Sequence, residues 1–379
     1  MSEYQYYEFQ AIDRPLTAKE MSELRSFSTR ARIAPTSFVN DYSWGSFKGD
    51  EDAWMEKYFD AFLYLANWGT HVLKLRLPSR LLDPATAKTY CGGDSAIVRE
   101  KSSKVILSFV SEDERGGDWV EGEGLLSSLI SVRAELARGD LRALYLGWLL
   151  RVQAGELDED DVEPPIPPGL GQLSASLQSM AGFLRIDGDL LHVAAEASLP
   201  MSDAGIDRAE VRSWVGNVPV REKDDLLTDL MVDGDRALLA ELLQRFLKER
   251  PAGSCTSASA LRTVGRLLDA AVAFTTERRR VEVEKRAKEE ARREREAAIT
   301  REKHLDGLVG REEKLWSEID SLVATKQPKS YDRAVKILID LRDLAARGKG
   351  GDFGLRLETL RQAQAKKPSF IERLRRAGI

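Results

Sequence analysis

The chain has 379 residues, of which 42% are hydrophobic and 31% are charged, and its net charge is −5. This length predicts two or three domains, and the lack of any apolar run of about 18 residues excludes a membrane-spanning helix. The first residues do not resemble a signal peptide, and Cys91 and Cys255 are too far apart to suggest a disulfide framework, so we expect a cytoplasmic protein.

Residues 1–155 are predicted to form an aromatic-rich α+β domain. Residues 6–11 alternate in polarity as a half-exposed strand does. A capping box of Thr17 and Glu20 then predicts the start of a helix. The alternating segment 71–77 predicts a second strand, and further on the pattern favours a hairpin followed by two apolar helices.

The segment from Asp50 to Gly69 is predicted to be helical. Its large apolar side chains recur at helical spacing, at Trp54, Tyr58, Phe62 and Leu65. Just before it, a polar, glycine-containing loop carries three aromatic residues that this spacing does not explain: Tyr42, Trp44 and Phe47. Exposed aromatic side chains in loops are typical of partner interfaces, so these three are candidate partner-binding residues.

An acidic and proline-rich segment, residues 156–172, is predicted to be a solvated linker. Positions 156–161 hold five acidic residues, and four prolines follow. Residues 173–254 then show short helical patterns separated by Gly and Asp, which predict a helical domain.

Residues 255–326 are predicted to form a long charged helix. Residues 277–303 contain few apolar side chains and many opposite charges four positions apart, a spacing that stabilises exposed helices. This charged part alone would span about 40 Å. Apolar side chains return at Leu315, Ile319 and Leu322, and we expect them to pack against the C-terminal helical hairpin, residues 327–379, or against a second chain. These three are also candidate partner-binding residues.

Several stretches carry a resemblance to known proteins. YQYYEFQAIDRPLT (4–17) and STRARIAPTSFVNDYSWGSFKGD (28–50) resemble an uncharacterised bacterial family, over most of the chain. The tail from LWSEIDSLVATKQPKSY (315–331) onward resembles the tails of bacterial SWIM-type zinc-finger proteins. Those proteins carry paired Cys and His zinc ligands, and this chain has no such pair. The resemblance therefore implies a bacterial source but no metal site and no catalytic residue.

The charge is unevenly distributed along the chain. Residues 276–379 carry 27 Lys and Arg against 19 Asp and Glu, a net +8, so the remainder carries −13. A basic tail can bind nucleic acid or an acidic protein, or it can dock on the acidic part of its own chain.

No catalytic, phosphate-binding or metal-binding motif is present in the sequence. The pattern as a whole favours an α+β N-terminal domain followed by a mostly α-helical half with a long charged helix. For function, it favours a non-enzymatic protein without cofactors that binds a protein partner. A nucleic-acid-associated factor acting through residues 276–379 is the second hypothesis, and a hydrolase with an unrecognised site is the third.

Overall fold

A computed structural model describes residues 4–45, 47–113, 121–201, 207–232, 237–249, 262–348 and 352–379. The chain divides into two compact units, Met1–Glu277 and Arg278–Ile379. The predicted start of the long helix at residues 255–261, together with Cys255, lies outside the described residues. None of the helices in these ranges combines the length and apolar character needed to cross a bilayer.

The first unit is built on a seven-stranded antiparallel sheet. Its strands are β1 (Gln5–Gln10), β2 (Arg32–Ala34), β3 (Ser37–Tyr42), β4 (Ala61–Ala66), β5 (His71–Pro78), β6 (Ala96–Lys101) and β7 (Lys104–Ser111). They lie in the order β2-β3-β1-β4-β5-β7-β6. The predicted α+β class of the N-terminal part is therefore confirmed.

The helices of the first unit come before, between and after the strands. They are α1 (Ala18–Phe27), α2 (Glu51–Lys57), α3 (Pro84–Tyr90), α4 (Leu125–Leu129), α5 (Ser131–Ala137), α6 (Arg142–Gln153), α7 (Ala175–Phe183), α8 (Gly188–Glu196), α9 (Arg208–Asn217), α10 (Val220–Val232) and α11 (Ala237–Glu249). The predicted capping box is present at the start of α1, where the Thr17 hydroxyl accepts from the backbone NH of Glu20 and the Glu20 carboxylate accepts from the backbone NH of Thr17.

The predicted helix over residues 50–69 is wrong in its second half. The chain forms α2 only to Lys57, and residues Ala61–Ala66 are the central strand β4. This strand lies between β1 and β5 and is buried on both faces, so its sequence is an apolar run without alternation. Such a run fits helical spacing by coincidence, which is why periodicity misassigned it.

Strand β1 is likewise buried on both faces, not half-exposed as its pattern predicts. Tyr7 and Phe9 point into an aromatic cluster with Phe38, Trp54 and Phe59 on one face of the sheet. Tyr6 belongs to the larger core on the opposite face. The aromatic opening of the chain is therefore mainly core.

The larger core joins the sheet to the helices that follow the proline-rich segment. Leu177 and Met180 of α7 are fully buried in the same cluster as Leu73 and Leu75 of β5. Residues 1–155 and the helices after them thus share one hydrophobic core in the first compact unit. Truncation at residue 155 would expose that core to water.

The segment predicted as a solvated linker is anchored at its centre. The buried Glu163 carboxylate accepts two hydrogen bonds of 2.7 Å from Arg262 and one from the hydroxyl of the buried Tyr145. The Glu163 backbone NH also donates to the Arg262 carbonyl at 2.9 Å. The acidic residues before it, 158–161, are exposed, but Pro165, Pro167 and Pro168 after it line a cavity.

The long charged helix is confirmed over the described residues as α12 (Val264–Asp306). Residues 276–300 are exposed throughout. Pairs four residues apart, such as Arg278 with Glu282 and Lys288 with Glu284, line its surface. Each such pair contributes only about 0.2–0.5 kcal/mol.

Because no core supports residues 276–300, we expect Ala291→Pro to open the helix locally. Proline in a helix interior costs about 3 kcal/mol. Hydrogen exchange measured by mass spectrometry should show protection lost around residue 291, with the strands of the sheet unaffected and Ala291→Ser as the control. Unchanged protection in the Pro variant would contradict a continuous helix.

The second unit is a small helical bundle with its own core. After α12 it contains α13 (Glu312–Ala324), α14 (Pro328–Ala346), α15 (Phe353–Ala363) and α16 (Pro368–Arg376). Its fully or nearly fully buried side chains include Leu305, Ile319, Val323, Leu338, Leu344, Phe370 and Leu374. The mostly helical second half predicted from sequence is confirmed.

Candidate functional site

One end of the sheet in the first unit carries two exposed tryptophans, Trp44 and Trp68. Strand β1 begins at Gln5, which pairs with Tyr42 at the end of β3 and with Ala66 at the end of β4. Trp44 and Trp68 each follow one of these strand ends by two residues. Since β3 and β4 flank β1, their backbones are about 10 Å apart at this end. We call Arg30, Trp44 and Trp68 the sheet-end surface.

Trp44 is the most exposed aromatic side chain of this surface. It is 70% exposed, and the Arg30 guanidinium carbon lies 5.4 Å from its ring centroid. This is cation–π geometry, which orients the indole without covering it. The Gln5 side-chain amide donates to the Gly45 carbonyl at 2.8 Å and holds the adjacent backbone on the sheet.

Phe47 and Tyr42 anchor the loop and are only partly accessible. The Phe47 ring stacks on Tyr7 at 5.0 Å between centroids and meets Trp54 edge-on at 4.9 Å. The Tyr42 hydroxyl accepts a 2.8 Å hydrogen bond from Asn40. Of the three loop aromatics predicted to bind a partner, Trp44 is thus the one that projects into solvent.

The sequence pattern does not indicate Trp68 as a candidate, because it predicts a helix from Asp50 to Gly69. It occupies the tight turn between β4 and β5 and is 45% exposed. Gly69 follows with a φ of +105°, and a β-carbon there would collide with the Asp113 carbonyl. Asn67-Trp68-Gly69 between two apolar runs is the signal for a hairpin turn that could have located Trp68.

The turn that carries Trp68 is fixed by its neighbours. The Asn67 side-chain oxygen accepts from the Tyr4 backbone NH at 3.0 Å, and Arg185 donates to the Gly69 carbonyl at 2.7 Å. Arg185 also donates to His71, whose pKa is lowered by burial and by this cation. His71 is therefore a neutral structural group behind the turn, and the sheet-end surface is preorganised.

The three apolar candidates of the second unit lie within its own bundle. Ile319 is fully buried, and Leu315 and Leu322 are half-buried against the same core. Their predicted packing against the C-terminal hairpin is what the structure shows. Ile319 is not accessible to a partner, since the helices of its own chain cover it.

A cavity of about 650 Å³ lies elsewhere in the first unit. Its walls include Leu141, Ile166 and Met201. Two of the charged groups in it have internal partners. Arg142 donates to Asp140 and to two backbone carbonyls, and Glu135 accepts from Ser174 and Ser176. The cavity offers few free polar groups to orient a ligand, so it is a weaker candidate than the sheet-end surface.

Cys91 is the free cysteine that the structure describes in the first unit. Cys91 is fully buried, and burial raises the pKa of its thiol to about 12, so the thiol stays protonated at neutral pH. Among the residues that the structure describes, no cluster of three or more His, Cys, Asp and Glu side chains could hold a metal ion.

No family model, no curated protein and no solved structure matches this chain. The resemblances to a bacterial family and to zinc-finger tails therefore stay predictions.

Proposed function

We propose that the chain is a non-enzymatic cytoplasmic protein of bacterial origin that binds a protein partner through the sheet-end surface. The observation that carries the proposal is the pair of exposed tryptophans at one end of the sheet, with Arg30 against one of them. Tryptophan and arginine are the residues most enriched among interface hot spots.

The surroundings of Trp44 and Trp68 support a protein partner over a small molecule. Neither side chain lines the cavity described above. Small ligands are typically bound in concave pockets that cover most of the ligand surface. Both lie on backbone held by hydrogen bonds and ring contacts to the sheet. A preorganised aromatic surface loses little conformational entropy on binding, which favours affinity.

We test this proposal by site-specific photo-crosslinking in native cells. A photoreactive phenylalanine analogue is placed at position 44, at position 68, or at the control position 355, where Leu355 is 69% exposed in the second unit. We expect one protein to crosslink at positions 44 and 68 and not at 355. The same adducts from all three positions, or none at 44 and 68, would contradict the proposal.

A further inference from the structure

One end of the second unit carries several exposed lysines. Two turns meet there, between α13 and α14 and between α15 and α16. The Lys367 ammonium donates to the Val323 carbonyl at 2.8 Å, and the Tyr331 and Phe370 rings lie 5.3 Å apart. We call this region the lysine end and define it by Lys326, Lys329, Lys366 and Lys367.

The sequence around both turns lacks acidic residues. Segments 321–331 and 359–371 contain five Lys and Arg and no Asp or Glu. Lys326, Lys329 and Lys366 are exposed, and none of them forms an ion pair with a described residue. Exposed lysines without an ion-pair partner would attract an anionic partner to this end.

Four acidic residues bound these segments, Asp320, Asp332, Glu358 and Glu372, and the last three form ion pairs, Glu358 with Arg361 at 3.8 Å. Asp332 accepts from Arg373 at 2.7 Å. Glu372 accepts from Arg375 and Arg376 at 3.0 and 3.1 Å. These carboxylates are therefore poorly placed to neutralise the three exposed lysines.

We propose that the lysine end binds the phosphate backbone of duplex nucleic acid without reading its sequence. The aromatic residues of the two turns, Tyr331 and Phe370, are buried, so the end has no ring on which unpaired bases could stack. It also has no large exposed apolar side chain, whereas protein interfaces are centred on one. A purely cationic surface fits a polyelectrolyte, whose binding is driven by counterion release.

The N-termini of α14 and α16 add to the positive charge at the lysine end. Both helices begin at the lysine end with proline in their first turn, and neither has a side-chain cap on its first backbone NH groups. Helix N-termini carry a partial positive charge, so both reinforce the attraction of the lysines for phosphate.

The test uses the full chain and a fluorescent 20-base-pair duplex, with binding followed by anisotropy from low to high salt. The variant Lys326→Gln/Lys329→Gln/Lys366→Gln is compared with Lys285→Gln/Arg286→Gln/Arg293→Gln, which removes equal charge from exposed positions of α12. We expect the first variant to bind the duplex at least tenfold more weakly. We also expect the slope of the logarithm of the binding constant against the logarithm of salt concentration to be smaller in magnitude by about 2 to 3, since each phosphate contact contributes about 0.9.

The control variant should change the affinity by less than about threefold. Three outcomes would overturn the proposal: no binding of duplex by the wild-type chain at low salt, equal losses in both variants, or preference for a poly-glutamate peptide over the duplex. The last outcome would assign the lysine end to an acidic protein instead.

Discussion

We expect Asp60→Ala to destabilise the first unit by about 3–5 kcal/mol, since removing one partner of a buried ion pair leaves the other charge uncompensated. Asp60 is 1% exposed, and its carboxylate accepts from the Arg76 guanidinium at 2.6 and 3.1 Å. It also accepts from the backbone NH groups of Ile12 and Asp13 at 2.7 and 2.9 Å. The substitution would leave all these donors without their acceptor.

The network around Asp60 connects several elements of the first unit. Arg76 of β5 also donates to the Met55 and Glu56 carbonyls at the end of α2. Arg133 of α5 donates to the Arg76 carbonyl and to the Asp13 carboxylate. Loss of Asp60 should therefore loosen the contacts of the sheet with helices α2 and α5.

The effect of Asp60→Ala should depend on pH in a defined direction. Burial alone would raise the pKa of Asp60, but Arg76 and the backbone donors hold it below its ordinary value. The stability it contributes is complete above the ordinary aspartate pKa of about 4 and is lost as the pH falls through the lower folded pKa.

Chemical denaturation at pH 7 and at lower pH measures this prediction. Glu123→Ala is the matched control, because Glu123 forms an exposed pair with Arg32 at 3.6 Å, and such pairs are worth less than about 1 kcal/mol. The difference in the free energy of unfolding between wild type and Asp60→Ala should become smaller below pH 4. If Asp60→Ala lowered the free energy of unfolding at pH 7 by no more than the control does, this result would contradict the assigned network.

The second large effect is expected for Ile319→Ala in the second unit. Ile319 is fully buried in the core of the bundle, and truncation of a buried isoleucine to alanine costs about 2–5 kcal/mol. For a domain of roughly 100 residues, this corresponds to a lower melting temperature by about 10 °C or more.

Hydrogen exchange by mass spectrometry resolves the effect of Ile319→Ala by segment. We expect faster exchange in α13 to α16, and unchanged exchange in the strands of the sheet. Leu355→Ala, an exposed position of the same unit, should change little. If Ile319→Ala left stability unchanged and impaired partner binding, the side chain would be a contact residue, as its sequence pattern also allows.

Local signals in the sequence predict parts of this fold well. The capping box at Thr17 and Glu20 marks the start of α1, and the charge pairs four apart predict α12, because both signals act within one or two turns of helix. The central strand β4 is buried by strands distant in sequence, and this removes the alternation by which strands are recognised.

The candidate site depends on tertiary placement that the sequence does not display. Trp44 is recognisable as a loop aromatic, but its placement at the same end of the sheet as Trp68 follows from the pairing of β3 and β4 on either side of β1. The anchor of the proline-rich segment joins Glu163 to Arg262, 99 positions apart. Neither the placement of Trp44 and Trp68 at one end of the sheet nor the pair of Glu163 and Arg262 leaves a local pattern in the sequence.

We propose that Trp44 and Trp68 bind a protein partner. The most direct test is isothermal titration of the photo-crosslinked partner, once purified, against wild type, Trp44→Ala/Trp68→Ala and the Leu355→Ala control. Loss of a single hot-spot residue costs about 2 kcal/mol or more, which is about 30-fold in affinity. We therefore predict a dissociation constant at least about 30-fold higher for the double variant and unchanged for the control. Equal dissociation constants for wild type and a folded double variant would contradict the claim.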